Sequence, residues 1–105
     1  MGIKDLYHEV FDVVCRITEM DKNSILHSNK EQCVDARYLL VHILSQHLTD
    51  EEISDVSGLS RTCANKIRNT FNNKSRKFSV KCKLAQIHDE LDTTLPHDFM
   101  TATNL

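Results

Sequence analysis

Apolar residues recur at helical spacing in one segment after another of this chain, and almost nothing in it can break a helix. Ile3, Leu6, Tyr7, Val10, Val14 and Ile17 sit at i, i+3, i+4, i+7, i+11 and i+14. That pattern is one face of a helix over about 3–20. Only two glycines and one proline occur in 105 residues. Tight hairpins and glycine-rich phosphate loops are therefore not expected, because both need residues free of a Cβ. The expectation is an all-α fold, a compact bundle of about five helices.

The other helices follow from the same periodicity and from punctuation between them. Asp21-Lys22-Asn23 ends the first helix, and Ser24–His27 is a short helical turn with Asn23 as its cap. A polar connection, Ser28–Glu31, leads to a helix over about 32–47. There Val34, Ala36, Leu39, Leu40, Val41, Ile43 and Leu44 cover more than one face, the mark of a central helix. Thr49-Asp50-Glu51-Glu52 has the form of a capping box. It opens a short helix over about 50–57 that turns Ile53 and Val56 inward. Gly58 stops that helix, Leu59 plugs the turn, and Ser60 caps the next, over about 61–72, whose inner face is Ala64, Ile67 and Phe71. A basic linker, Asn72–Lys77, precedes a last helix over about 76–91, with Val80, Leu84, Ile87 and Leu91 inward. The reading is one helical domain over 1–92 and a frayed tail over 93–105.

Charge is segregated along this framework. Residues 61–83 hold eight Lys/Arg and no Asp or Glu, whereas residues 1–60 hold five basic and eleven acidic residues. Residues 84–105 hold four acids and no base. A field of one sign on an otherwise acidic domain steers and holds an anionic partner, which the overall charge of −2 conceals.

The basic segment begins where a helix-turn-helix places its second helix. Glu52 to Ile67 fits that template: Ile53, Val56, Leu59, Ala64 and Ile67 weld two short helices, Ser54 permits their close approach, and Gly58 makes the turn. A rigid pair of this kind presents its second helix to a major groove. With Ala64, Ile67 and Phe71 inward, Arg61, Thr62, Asn65, Lys66 and Asn69 face out. Arg pairs with guanine, Asn with adenine, and Thr meets a thymine methyl or a phosphate. Lys30, Arg37, Arg68, Lys74, Arg76 and Lys77 are candidate phosphate contacts, which place a domain without reading sequence. For Arg37, pairing with Glu31 or Asp35 is an equal alternative.

Val34-Asp35-Ala36-Arg37 ahead of an apolar helix, the Ile53–Ile67 segment and one closing amphipathic helix appear in a familiar order. Residues from about Val10 to Leu91 resemble the C-terminal DNA-binding domain of the bacterial chromosomal replication initiator DnaA. The resemblance implies a Trp-repressor-like fold with a central helix-turn-helix, and double-stranded DNA as partner. The family's Asp-His-Thr-Thr run corresponds to Ser60-Arg61-Thr62-Cys63, which agrees at Thr62, and its basic loop corresponds to Ser28–Gln32.

Other functions find less in the sequence. Six histidines and four cysteines show no close ligand spacing, so no metal is expected. There is no GxxxxGK[ST], so no nucleotide site or other cofactor is expected. Nothing places a Cys beside a His as a nucleophile pair, and the acids at 50–52 are explained by capping, so no enzyme activity is expected. Cys63 and Cys82 are expected in or near the core, and Tyr7 and Tyr38 at its edge. No apolar run approaches the roughly 20 residues that span a bilayer. With no secretory signal, reduced thiols in the cytoplasm are expected. The main alternative to DNA is a protein-interaction module whose basic face docks an acidic protein. Whether the chain works alone, with a larger replication or regulatory partner, or as a homodimer is also open. Phe11 and Val13, off the main stripe of the first helix, either form a dimer face or are ordinarily buried.

Overall fold

The computed structural model describes residues 2–94, and every regular element among them is a helix. In order these are α1 (Ile3–Thr18), α2 (Lys22–His27), α3 (Glu31–Leu44), α4 (Asp50–Ser57), α5 (Arg61–Lys74) and α6 (Phe78–Thr94). The short turn expected at 24–27 is a helix in its own right, which makes six. Its cap is Asp21 rather than Asn23: the Asp21 carboxylate accepts from the Ser24 amide at 3.1 Å and from its hydroxyl at 2.7 Å. Asp21 wins because it stands immediately outside the first helical residue, where a side-chain oxygen reaches the free amides. These bonds hold its carboxyl below the ordinary carboxylate range.

α3 is the hub, packing against α1, α2, α5 and α6. Cys33, Ala36, Leu39, Leu40, Val41, Ile43 and Leu44 are all buried, so the helix is covered on most of its circumference. α1 contributes Leu6, Tyr7, Val10, Phe11, Val13 and Val14 to the same core. Phe11 and Val13 are thus buried within the monomer and present no face to a second copy. The inward residues of α5 are as expected, and on α6 Val80, Ile87 and Leu91 are buried with Leu84 half-buried beside them. Cys63 packs half-buried against the core, and Cys82 is half-buried on α6.

Several boundaries differ from the periodic reading, each for a local reason. α1 stops at Thr18 because Glu19 adopts φ 59°, and the Glu19 and Met20 amides both close on the Cys15 carbonyl. α3 ends at Leu44, and the chain tightens into turns in which Gln46 and His47 bond back three residues. α5 continues to Lys74, and the expected linker shrinks to a tight turn in which Arg76 and Lys77 donate to the Asn73 and Lys74 carbonyls. α6 starts at Phe78 and carries on through Thr93 and Thr94. The remainder of the tail expected to fray lies outside the described residues.

Gly58 terminates α4 at φ 82°, a left-handed backbone that costs an L-residue roughly 1–2 kcal/mol. A Cβ there would meet nothing within 4 Å, so the cost is one of backbone alone. Gly58→Ala is expected to lower the unfolding free energy by about 1 kcal/mol, and Gly58→Asn by less. Urea denaturation of the three proteins side by side checks the order.

A histidine group joins α3, the turn after it and α6. The His42 ring stacks on Phe71 at a centroid distance of 3.9 Å and an interplanar angle of 6°, tying α3 to α5. Burial pushes the His42 imidazole below its ordinary pKa of 6.5, and the nearby His88 pushes it further. His47 is lowered by the same two causes in the same order. A folded-state pKa below the unfolded value means that folding favours the neutral ring. Stability is then fully present above pH 6.5 and is lost as pH falls from that value through the lowered folded-state pKa. The urea midpoint is expected to be flat above neutrality and to fall on acidification below about pH 6.5. In His42→Phe, which keeps the stack, part of that slope should disappear.

Candidate nucleic-acid interface

The surface of interest is built on α4 and α5, joined by Gly58-Leu59-Ser60 and packed on each other. Its local geometry follows from the sequence. The Thr49 hydroxyl accepts from the Glu52 amide at 3.2 Å, and the Glu52 carboxylate accepts from the Thr49 amide at 2.9 Å, a closed capping box. In the turn, the Ser57 hydroxyl donates to the Ile53 carbonyl at 2.6 Å and accepts from the Leu59 amide at 3.1 Å. Ser60 then caps α5 by accepting from the Cys63 amide at 3.0 Å. Ile53, Ala64 and Ile67 lie beneath in the core, with Val56 and Leu59 half-buried beside them. The pair is therefore held by packing on one side and by caps at both ends.

α5 turns Arg61, Thr62, Asn65, Lys66, Arg68 and Asn69 to solvent. These residues are not equally free. The Asp50 carboxylate, at the first position of α4, accepts through Oδ2 from Asn65 Nδ2 and Arg68 Nη2, each at 3.0 Å. Asn69 Nδ2 in turn donates to Asn65 Oδ1 at 3.1 Å. Asn65, Arg68 and Asn69 are thus fixed as one network with Asp50 at its root. The Oδ1 atom of Asp50 is buried with no hydrogen-bond partner among the described residues. Beside it, Asp50, Arg61, Thr62 and Asn65 line an open hollow of about 440 Å³. Arg61 and Lys66 form no ion pair among the described residues, and both are exposed.

The six residues expected on phosphates divide differently from the sequence reading. Lys74 Nζ lies 3.0 Å from Asp35 Oδ1 and 5.1 Å above the Tyr38 ring. Lys77 Nζ donates to Asp35 Oδ2 at 3.0 Å and to the Glu31 carboxylate, and these bonds raise its pKa, Glu31 contributing most. Together they bind the end of α5 and the turn after it to the N-terminal part of α3. Arg37 pairs with neither Glu31 nor Asp35. Its Nε donates to the Ile25 carbonyl at 2.8 Å and its Nη2 to the Ser28 carbonyl at 2.7 Å. A guanidinium there satisfies the free carbonyls at the end of α2, where a cation is also favoured by the helix dipole. Arg76 and Lys30 are exposed, Arg76 in the α5–α6 turn and Lys30 just before α3. Arg68 is shared between the surface and Asp50.

Two residues escaped the sequence reading. Asp50 was explained by capping alone, and nothing local in a sequence tells that an acid at the start of one helix meets the side of the next. Phe78 is 81% exposed at the start of α6. Its signal was present: it stands two residues before Val80, and so on the opposite side of the helix from the buried stripe.

Among the described residues no three His, Cys, Asp or Glu side chains are placed to hold a metal ion, and no helix is long and apolar enough to cross a membrane. The four cysteines are free thiols, and burial raises the pKa of Cys15. No family model matches the chain, nor does any curated protein or solved structure.

Proposed function

We propose that the chain binds duplex DNA, with α4 and α5 acting as a helix-turn-helix and α5 as the helix that enters the major groove. The observation that carries this reading is the outer face of α5. It presents Arg61, Thr62 and Lys66 unpaired, next to an ordered Asn65–Asn69 pair, on a segment without a single acid from 61 to 83. Arg61 is suited to guanine, Asn65 to adenine, and Lys66, Arg68 and Arg76 to phosphates. The resemblance to the replication initiator's DNA-binding domain, with its Trp-repressor-like fold, supports the same reading. The acidic remainder of the chain opposes indiscriminate attraction to DNA, which favours a protein that needs base contacts.

Fluorescence anisotropy with a labelled mixed-sequence duplex across a salt series tests it. With Lys66 and Arg76 on phosphates and Arg68 held by Asp50, the log–log slope is expected near −2, about −0.9 per phosphate neutralised. Absence of binding at low salt would shift the reading to a basic face that docks an acidic protein.

Asp50 gives this proposal a further consequence. Its carboxylate occupies Arg68 and stands where a phosphate would be repelled. In Asp50→Asn the hydrogen-bond acceptor for Asn65 and Arg68 is retained and the charge is lost. Affinity for a mixed-sequence duplex is expected to rise several-fold and the salt slope to steepen by about one phosphate. An unchanged slope would mean that Arg68 already reaches DNA in the native protein.

A further inference from the structure

Phe78 is the largest departure from ordinary burial among the described residues. It is 81% exposed, against 39% for Ile3, the other large apolar side chain left open. Burying a phenylalanine stabilises a fold by several times the thermal energy, so one left in water on a regular helix is unspent for folding. Its surroundings say what it suits. Lys81 lies one turn along the same face of α6 and is exposed, and Arg76 is exposed in the turn just before. Neither forms an ion pair among the described residues. The two acids that approach this turn, Glu31 and Asp35, are already neutralised by Lys77 and Lys74. An open aromatic ring with exposed cations two residues before it and three residues after it fits a nucleobase whose flanking phosphates meet the cations.

We propose that Phe78 is a stacking platform for an unpaired base of a bound nucleic-acid strand, held there by Arg76 and Lys81. The inference rests on the nucleic-acid reading of the basic segment but assigns a second, single-strand contact to it. α5 is about 20 Å long, and Phe78 follows the end of it opposite Arg61. The groove contact and the stack would thus fall on different parts of one substrate, a duplex beside a bubble or a frayed end. A membrane surface suits the site less. Interfacial anchoring needs a broad apolar face, and the exposed neighbours of Phe78 on α6 are Ser79, Lys81, Ala85 and Gln86.

The chain contains no tryptophan, so Phe78→Trp places a single reporter at the site. Its fluorescence is to be followed with a single-stranded oligonucleotide, a duplex with a central unpaired bubble, the fully paired duplex, and vesicles of phosphatidylserine and phosphatidylcholine. Quenching is expected with the single strand and the bubble and not with the paired duplex. Phe78→Ala should weaken single-strand and bubble binding about tenfold and leave paired-duplex binding unchanged. Exposure of the side chain means that neither variant disturbs the core. Phe78-dependent single-strand binding without any paired-duplex binding would support this inference while removing the duplex proposal. Bubble and single-strand affinities equal in wild type and Phe78→Ala would overturn it, as would no binding to any oligonucleotide. So would a Trp signal that answers to vesicles alone.

Discussion

Replacing Arg61 and Lys66 together with alanine is expected to lower duplex affinity on the order of 100-fold and to flatten the salt slope by about 1. The magnitude comes from two different contacts. A bidentate arginine on a guanine contributes about 1–3 kcal/mol, and a lysine on a phosphate adds a salt-dependent term that is uniform across sequences. These two cations are singled out because they hold no ion pair within the described structure, so their whole charge is available to a ligand. For the same reason their removal should leave the thermal midpoint nearly unchanged, as surface substitutions usually do. Arg68→Ala serves as the contrast. It takes away a cation that Asp50 already engages, so its effect on binding should be smaller. Anisotropy on the three proteins, with circular dichroism as a folding control, separates these outcomes. If the double variant binds duplex as the wild type does, α5 is not the contact helix. Binding that is indifferent to competitor DNA but present with an acidic protein would identify the alternative partner class.

The contrast between Arg61 and Arg68 also shows where sequence reading ends. The Ile3–Ile17 stripe, the Thr49–Glu52 box, the Gly58 stop and the Ala64–Ile67–Phe71 face are decided within a few residues of chain, and such features are legible from periodicity and capping. Charge segregation is legible too, but only as a count. Whether a lysine is free depends on partners that sequence distance hides. Lys77 meets Glu31 across 46 residues and Asp35 across 42, and Arg68 meets Asp50 across 18. A long side chain on one helix finds its counter-ion wherever packing brings another helix, so a tally of Lys and Arg overstates the basic surface. Arg37 illustrates the same limit differently. Its partners are backbone carbonyls, and those become available only because α2 ends at His27. Phe78, by contrast, was legible: its spacing from Val80 already put it opposite the buried stripe of α6.

The other large effect concerns the platform rather than the contacts. α4 places a single fully buried side chain in the core, Ile53, with Val56 and Leu59 only half-buried near it. Ile53→Ala should cost about 2–5 kcal/mol, the lost transfer energy plus the cavity it leaves. That is a large part of the roughly 5–15 kcal/mol that holds a domain together. The thermal midpoint is expected to fall on the order of 15 °C, whereas Ile53→Val, which removes one methyl, should cost about 1 kcal/mol. The location of the loss is the sharper prediction. α3 is clamped from four sides, whereas α4 packs chiefly on α1 and α5 and sends one fully buried side chain into the core. Amide exchange in Ile53→Ala should therefore accelerate in α4 and the Gly58–Ser60 turn before it does in α3. An equal acceleration everywhere would mean that the α4–α5 pair and the hub unfold as one unit. In that case the orientation of the α5 surface is set by the whole core and not by Ile53 alone.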